Sequence, residues 1–230
     1  MAFILQLETS TDVCSVAISA SGSTISMVES VEPNSHTEKL TLLIIECLAK
    51  AEISIKNLHA VCISDGPGSY TSLRVGSSVA KGICYSLKIP LIAIDSLFIL
   101  ARGIDYPTIL PEDYIIPMID ARRMEVYTAF FKGNLTQITS TQSLIIEEDI
   151  LHIYKGENST FHLCGNGAKK YFEKHHSDNV RLFHTRTSAD YMSKTAFEYY
   201  ENKQFQDLAY YTPNYLKSPN ITKSSKNILL

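Results

Sequence analysis

Ser64-Asp65-Gly66-Pro67-Gly68-Ser69-Tyr70-Thr71-Ser72-Leu73-Arg74-Val75-Gly76 is the stretch that decides the fold. The apolar run Ala60-Val61-Cys62-Ile63 leads into it and reads as a short buried strand. A segment with helical spacing, Leu73 to Leu87, follows it. Strand, glycine turn and helix in that order present backbone N–H groups at a helix N-terminus, where anions are stabilised. The spacing alone favours a second reading, because Gly-rich turns outnumber phosphate sites: a tight turn in which Gly66 and Gly68 supply unusual backbone angles and Pro67 stiffens the bend.

Working outward, the N-terminal part reads as strands at Phe3 to Glu8, Val13 to Ala20 and Ser23 to Glu29, with a turn at Ser21-Gly22. A helix from about His36 to Ala51 follows the break at Pro33 and Asn34. Beyond the glycine turn come a helix to Leu87, a strand at Ile89 to Ile94, and a helix capped by Ser96 and running towards Gly103. Asp105 to Pro111 is a connection, after which the theme restarts. Strands are expected at Tyr114 to Asp120, Glu125 to Lys132, Leu135 to Thr141 and Phe161 to Cys164. Helices are expected at Ala168 to His176 and from a cap at Ser188 to about Asn202. The divisions are 1–104 for a first lobe, 105–216 for a second, and 217–230 for a polar tail made locally basic by Lys217, Lys223 and Lys226. Antiparallel strands followed by alternating helices and strands give an α/β fold with mixed sheets and flanking helices.

The 230 residues suffice for one large domain or two small lobes, and 45% are apolar. A formal net charge of −3 argues against a free-standing nucleic-acid binder, while leaving room for a local basic patch. The opening residues lack a secretory pattern, and no apolar run reaches the roughly 20 residues of a membrane span. Cys14, Cys47, Cys62, Cys84 and Cys164 are scattered among apolar residues and form no C-x-x-C pair. They read as buried free thiols of a cytoplasmic protein.

The helices are more apolar than a surface helix requires. In the first, Leu40, Leu43, Ile44, Cys47, Leu48 and Ala51 make one face, and Leu42, Ile45 and Ala49 make a second stripe. In the helix after the glycine turn, Leu73, Ala80, Ile83, Cys84 and Leu87 can face a sheet. Val75, Val79 and the small residues Gly76, Ser77, Ser78 and Gly82 cover its other sides. Such a pair is either densely packed within one lobe or a seam against another polypeptide.

The wording of several segments carries a resemblance. GPGSYTSLRVG (Gly66–Gly76) closely resembles the GPGSFTGLRIG signature of the TsaB family, formerly YeaZ. Ile4 to Ala17 resembles that family's opening ILAIDTATEACSVA, and Asn34 to Glu38 its short element before the first helix. Ile119 to Tyr127 resembles IDARRGEVY, Leu163 to Gly167 a VGxG turn, and Pro213 to Leu216 the closing PxYL. Glu8 departs from the usual Asp, and Ser72 from a common Gly.

The resemblance implies a two-lobed actin-like ATPase superfold, akin to ribonuclease H, sugar kinases and heat-shock ATPases, with a shortened second lobe. It also implies a subunit without catalysis of its own in bacterial synthesis of threonylcarbamoyladenosine in tRNA. Its partners would be a TsaD-type catalytic subunit and a TsaE-type P-loop ATPase, or a second copy when the partner is lacking. ATP and a metal would sit on the partner subunits, and tRNA would be met through the complex. The partner-binding positions implied on the first helix are His36, Glu38, Leu42, Ile45 and Ala49. Those on the second are Arg74, Val75, Ser78, Val79 and Gly82.

The residues leave an enzymatic alternative. A kinase-like site would use Glu8, Thr9 and Ser10, the turn residues Gly66, Gly68 and Ser69, and Asp120 at the end of the second lobe's first strand. Glu8 and Asp120 would then face each other across a cleft, holding a metal or capping turns. No G-x-x-x-x-G-K-[ST] is present, the seven histidines contain no H-x-x-x-H, and Ser69 lacks a nucleophile elbow. Neither catalytic nor metal-ligating residues are therefore assigned. In Asp120, Arg122, Arg123 and Glu125, Arg122 would pair with Glu8 or Asp120, or serve a phosphate or a neighbouring subunit. A homodimeric structural module is the third reading.

Overall fold

In the computed structural model the described residues are 1–32, 35–104, 109–147, 149–154, 159–175 and 177–217. Two five-strand paths carry the molecule. In the first lobe β1 (Phe3–Glu8), β2 (Cys14–Ala20) and β3 (Ser23–Ser30) form an antiparallel meander. Its other side continues in parallel through β4 (Ala60–Gly66) and β5 (Leu91–Asp95), giving the order β3-β2-β1-β4-β5. The parallel pairs are joined by α1 (His36–Lys50) and α2 (Tyr70–Leu87), as crossover connections require.

Strand alternation divides the core. Leu5, Leu7, Val16, Ile18, Val61 and Ile63 face α1 and α2. Ile4, Ala17, Ala60, Cys62, Ile92 and Ile94 point to the other side, where α5 (Ser193–Glu201) and the 3-10 turn Ala189–Met192 cover them. Both faces of the sheet are buried, which is why these strands read as apolar runs.

The second lobe repeats the order. β6 (Tyr114–Asp120) pairs antiparallel with β7 (Glu125–Thr128), and β7 with β9 (Gln142–Ile145). On its other side β6 runs parallel to β10 (Phe161–Cys164), and β10 to β11 (Val180–Phe183). A two-residue strand, β8 (Phe131–Lys132), adds to β6. Helix α4 (Ala168–His175) covers this sheet, and α3 (Ser96–Arg102) joins the lobes through Leu97, Leu100 and Ala101 packed with Ile115 and Ile119. The two-lobed mixed-sheet expectation is the observed architecture.

Several local expectations are corrected. Asp95, not Ser96, caps α3: its carboxylate accepts from the N–H groups of Leu97 and Phe98, while Ser96 Oγ accepts from Gly66 N. The expected strand at Leu135 to Thr141 is displaced to Gln142–Ile145, because Leu135 turns through a positive φ of 66°. Ser188 caps the 3-10 turn first, and the helix starts only at Ser193. Strand β11 was not expected: Val180–Phe183 is a short edge strand, too brief to show alternation. His176, Asp105 to Thr108 and the tail beyond Lys217 lie outside the described residues.

Candidate functional site

The glycine turn packs against the chain's own first hairpin. Ser69 N donates to Ser10 O at 2.7 Å, and a Cβ on Gly68 would lie 2.2 Å from that oxygen. Nearly two turns into α2, a Cβ on Gly76 would lie 2.3 Å from Thr9 Oγ1. These glycines allow close approach of α2 to the β1–β2 turn. Gly66 sits at φ +108°, where a side chain would be strained.

Glu8 explains how that hairpin is held. Its Oε1 accepts from Ser10 N at 2.7 Å and from Ser10 Oγ at 2.5 Å. The side chain is wholly buried, and Oε2 has no hydrogen-bond partner. Burial pushes its pKa up to about 7 from about 4.5, against the opposing hydrogen bonds from Ser10. Thr9 and Ser10 are buried with it, and Thr9 N donates to Ser64 Oγ. Glu8 thus holds its own turn.

Asp120 makes different contacts. It is exposed, and its Oδ1 accepts from Arg122 N at 2.6 Å and Lys170 Nζ at 2.7 Å. The contact between Arg122 and Asp120 is through the backbone N–H, one of several roles that the charge pattern left open for Arg122. Between the lobes lies a cleft of about 350 Å³, open mouth included, lined by Thr11, Asp12, Val13, Leu100, Asn166, Arg186 and Thr187. None of the expected loop residues lines it.

The helices divide their residues as their periodicity dictates. On α1, Leu40, Leu43, Ile44, Cys47 and Leu48 are buried against the sheet. Leu42 and Ile45 stand 63% and 64% exposed, with Glu38 and Ala49 exposed beside them. On α2, Leu73, Ala80 and Cys84 are buried, while Arg74, Ser78 and Gly82 are exposed. A Cβ on Gly82 would meet nothing within 4 Å. The two helices pack against each other, so these exposed positions share one side of the first lobe.

Three expected members of this face are less exposed than the rest. His36 is buried, its Nε2 3.4 Å from Val13 O, and burial lowers its pKa. Val75 and Val79 are half-buried against the first lobe's core. Gly76 and Ser77, counted among the small residues of the seam, are buried within the lobe. Conversely, Tyr85 is 81% exposed and was missed. Its spacing from Ser78 and Gly82 puts it on the same helical face, a signal the sequence contained.

A C-terminal strap completes this side. Tyr211 Oη donates to Asp65 Oδ1 at 2.7 Å, and Asn214 N to Asp65 O at 2.7 Å. Burial raises the Asp65 pKa, and the Tyr211 hydrogen bond offsets part of that. The Tyr215 and Tyr70 rings lie 4.6 Å apart, and the Arg74 guanidinium stands 4.3 Å over Tyr70. Lys81 Nζ donates to the carbonyls of Ala209 and Tyr211. The strap fixes the first turns of α2, the helix whose outer side is bare.

Comparison with known proteins adds the following. The sequence profile of the family described as TsaD, tRNA N6-adenosine threonylcarbamoyltransferase, matches residues 28–224. The tRNA threonylcarbamoyladenosine biosynthesis protein TsaB of Buchnera aphidicola subsp. Acyrthosiphon pisum is 35% identical over 159 residues, covering 66% of this chain and 71% of that one. A crystal structure of a Pseudomonas aeruginosa protein, titled by its similarity to the peptidase YeaZ, superposes with a TM-score of 0.80 at 26% identity, over 94% of this chain and all of that one. The activator of 2-hydroxyisocaproyl-CoA dehydratase from Clostridium difficile, with bound ADPNP, superposes at a TM-score of 0.50 and 11% identity. That match covers 88% of this chain and 96% of that one, and it speaks for the fold alone.

Proposed function

The chain belongs to the TsaB family of tRNA threonylcarbamoyladenosine biosynthesis proteins, and on that premise we propose that it is the family's accessory subunit, without catalysis of its own. It binds a TsaD-type subunit through α1 and α2 and holds it in the arrangement needed to transfer a threonylcarbamoyl group to the adenosine beside the tRNA anticodon. A TsaE-type P-loop ATPase docks near the seam. ATP and metal belong to those partners, tRNA meets this chain inside the complex, and the assembly is cytoplasmic. Where the partner is lacking, a second copy covers the same face.

The observation that carries this reading is the outer stripe of α1. Leu42 and Ile45 are nearly two-thirds exposed on a helix whose inner face is already fully used. A stable seam buries on the order of 1,200–2,000 Å² in total. At roughly 25 cal/mol per Å² of apolar surface, two bare aliphatic side chains are a substantial part of its drive. The glycine turn supports the same reading, since its open geometry is occupied by Ser10 and Thr9 of the same chain.

Titration calorimetry with Mg–ATP separates this from a kinase-like enzyme. The accessory reading expects no tight binding and no turnover by the isolated chain. Tight binding accompanied by phosphoryl transfer would replace it with the enzymatic one.

A further inference from the structure

The end of β6 is the counterpart of the end of β1, because each starts the antiparallel hairpin of its own sheet. The two turns are built to opposite effect. The first is closed, with Glu8 folded back on Ser10 and buried. The second, residues 121–124, is open and presents two consecutive arginines. Arg122 and Arg123 adopt φ of 70° and 51°, two consecutive left-handed residues in the loop that Ala121 N closes by donating to Glu125 O. Glycine and asparagine are the residues that adopt positive φ readily, and L-residues with long side chains are strained there. Ease of turning therefore does not explain the arginines.

Nearby carboxylates do not neutralise them. Asp120 is taken by Arg122 N and Lys170 Nζ. Glu125 is taken by Ser143 Oγ, at 2.7 Å, and by Lys217. Lys170 also pins the turn from below, donating to Arg123 O at 3.0 Å and Glu125 O at 2.5 Å. Both arginines are exposed, and among the described residues neither guanidinium makes a hydrogen bond or ion pair. Four cations (Arg122, Arg123, Lys170 and Lys217) thus stand against two carboxylates, in a chain whose net charge is −3. Asn166 extends the arc: its Oδ1 accepts from Asp120 N at 2.9 Å, and it lines the cleft beside the exposed Arg186.

The geometry points to the Arg122–Arg123 turn as a contact for the sugar–phosphate backbone of tRNA within the complex, a step that rests on the proposed role in tRNA modification. Guanidinium groups pair bidentately with phosphate. The turn is exposed and does not line the cleft, so it suits an extended polyanion better than a small enclosed anion. Phosphate contacts of this kind position the tRNA without carrying sequence information.

The test replaces Arg122→Asn together with Arg123→Gly. This removes both charges while installing residues that adopt positive φ readily, so an intact fold is expected. Fluorescence anisotropy with an unmodified tRNA transcript, at several salt concentrations, compares wild type and variant, each alone at low salt and each mixed with the TsaD-type subunit. Light scattering reads the mass of each mixture. The expected result is weaker tRNA binding by the variant, with the magnitude of the log K against log salt slope smaller by about 1.4–1.8, two phosphate contacts' worth. The complex mass stays unchanged, and Arg122→Lys with Arg123→Lys retains most of the slope. An unchanged affinity and slope in both settings would overturn the inference. A variant that no longer joins the TsaD-type subunit would overturn it too, by making the turn a protein contact. Failure of the wild type to assemble at all would contradict the accessory role itself, and is read from mass rather than from tRNA.

Discussion

A Cβ on Gly68 would lie 2.2 Å from the carbonyl oxygen of Ser10, so the glycine turn and the first hairpin are closed against each other. The obstructing atom is backbone, held by the Ser69 N–Ser10 O hydrogen bond, and cannot rotate away. Gly68→Ala is expected to destabilise the chain by about 2–3 kcal/mol. For a chain of this size that lowers Tm by roughly 5–10 °C. Gly82→Ala is the contrast, since its Cβ meets open space. It should stabilise the isolated chain by about 0.5–1 kcal/mol and weaken the partner complex if backbones approach closely there. Calorimetric melting of both variants checks the pair.

Glu8 makes stability depend on pH. Its folded pKa, about 7, lies above its ordinary value of 4.5, so the folded state holds the proton more tightly. The contribution is complete below about pH 4.5 and is lost as pH rises through 7. Its size is on the order of 3 kcal/mol at 1.36 kcal/mol per unit. Glu8→Gln keeps an acceptor for Ser10 and removes the charge. Denaturant unfolding from pH 5 to 8 should show the variant gaining on wild type as pH rises; parallel curves would refute the assignment.

Tyr211→Phe removes the hydroxyl that donates to Asp65. A half-buried carboxylate then loses a donor, which costs about 1–3 kcal/mol. The loss should appear in Tm and as faster proteolysis of the strap. Unchanged melting together with unchanged proteolysis would show the strap to be held by other contacts.

An α/β fold whose strand theme restarts after the 105–111 connection was legible in the apolar runs of β1, β4, β6 and β10, because strands covered on both faces need continuous hydrophobicity; the two-lobed superfold was legible only through the family resemblance. The division of α1 was also legible: the stripe Leu42, Ile45 and Ala49 is the exposed one. Tertiary neighbours decided the rest. Nothing local distinguishes a histidine at a helix start that faces solvent from one turned to Val13 O, so His36 was placed outside. Val75 and Val79 sit at the edge of the helical arc, where burial depends on how α1 leans against α2. Likewise, the charge pattern could not choose Arg122's partner among Glu8, Asp120, a phosphate and a neighbouring subunit, nor name the group that meets Asp120. That carboxylate is met by Lys170, fifty residues away, and by the Arg122 backbone.

Partner binding and folding should separate along α1 and α2. Leu42→Glu and Ile45→Glu place charge on exposed positions, so their stability should stay within about 0.5 kcal/mol of wild type. Val79→Glu, half-buried against the core, should unfold the lobe instead. Urea unfolding of the isolated chains draws this distinction.

The mass in solution of an equimolar mixture with a TsaD-type subunit tests the accessory role most directly. The account predicts a stable hetero-complex for wild type, and free components for a well-folded Leu42→Glu, Ile45→Glu double variant. A complex of unchanged mass and affinity in the double variant would contradict it.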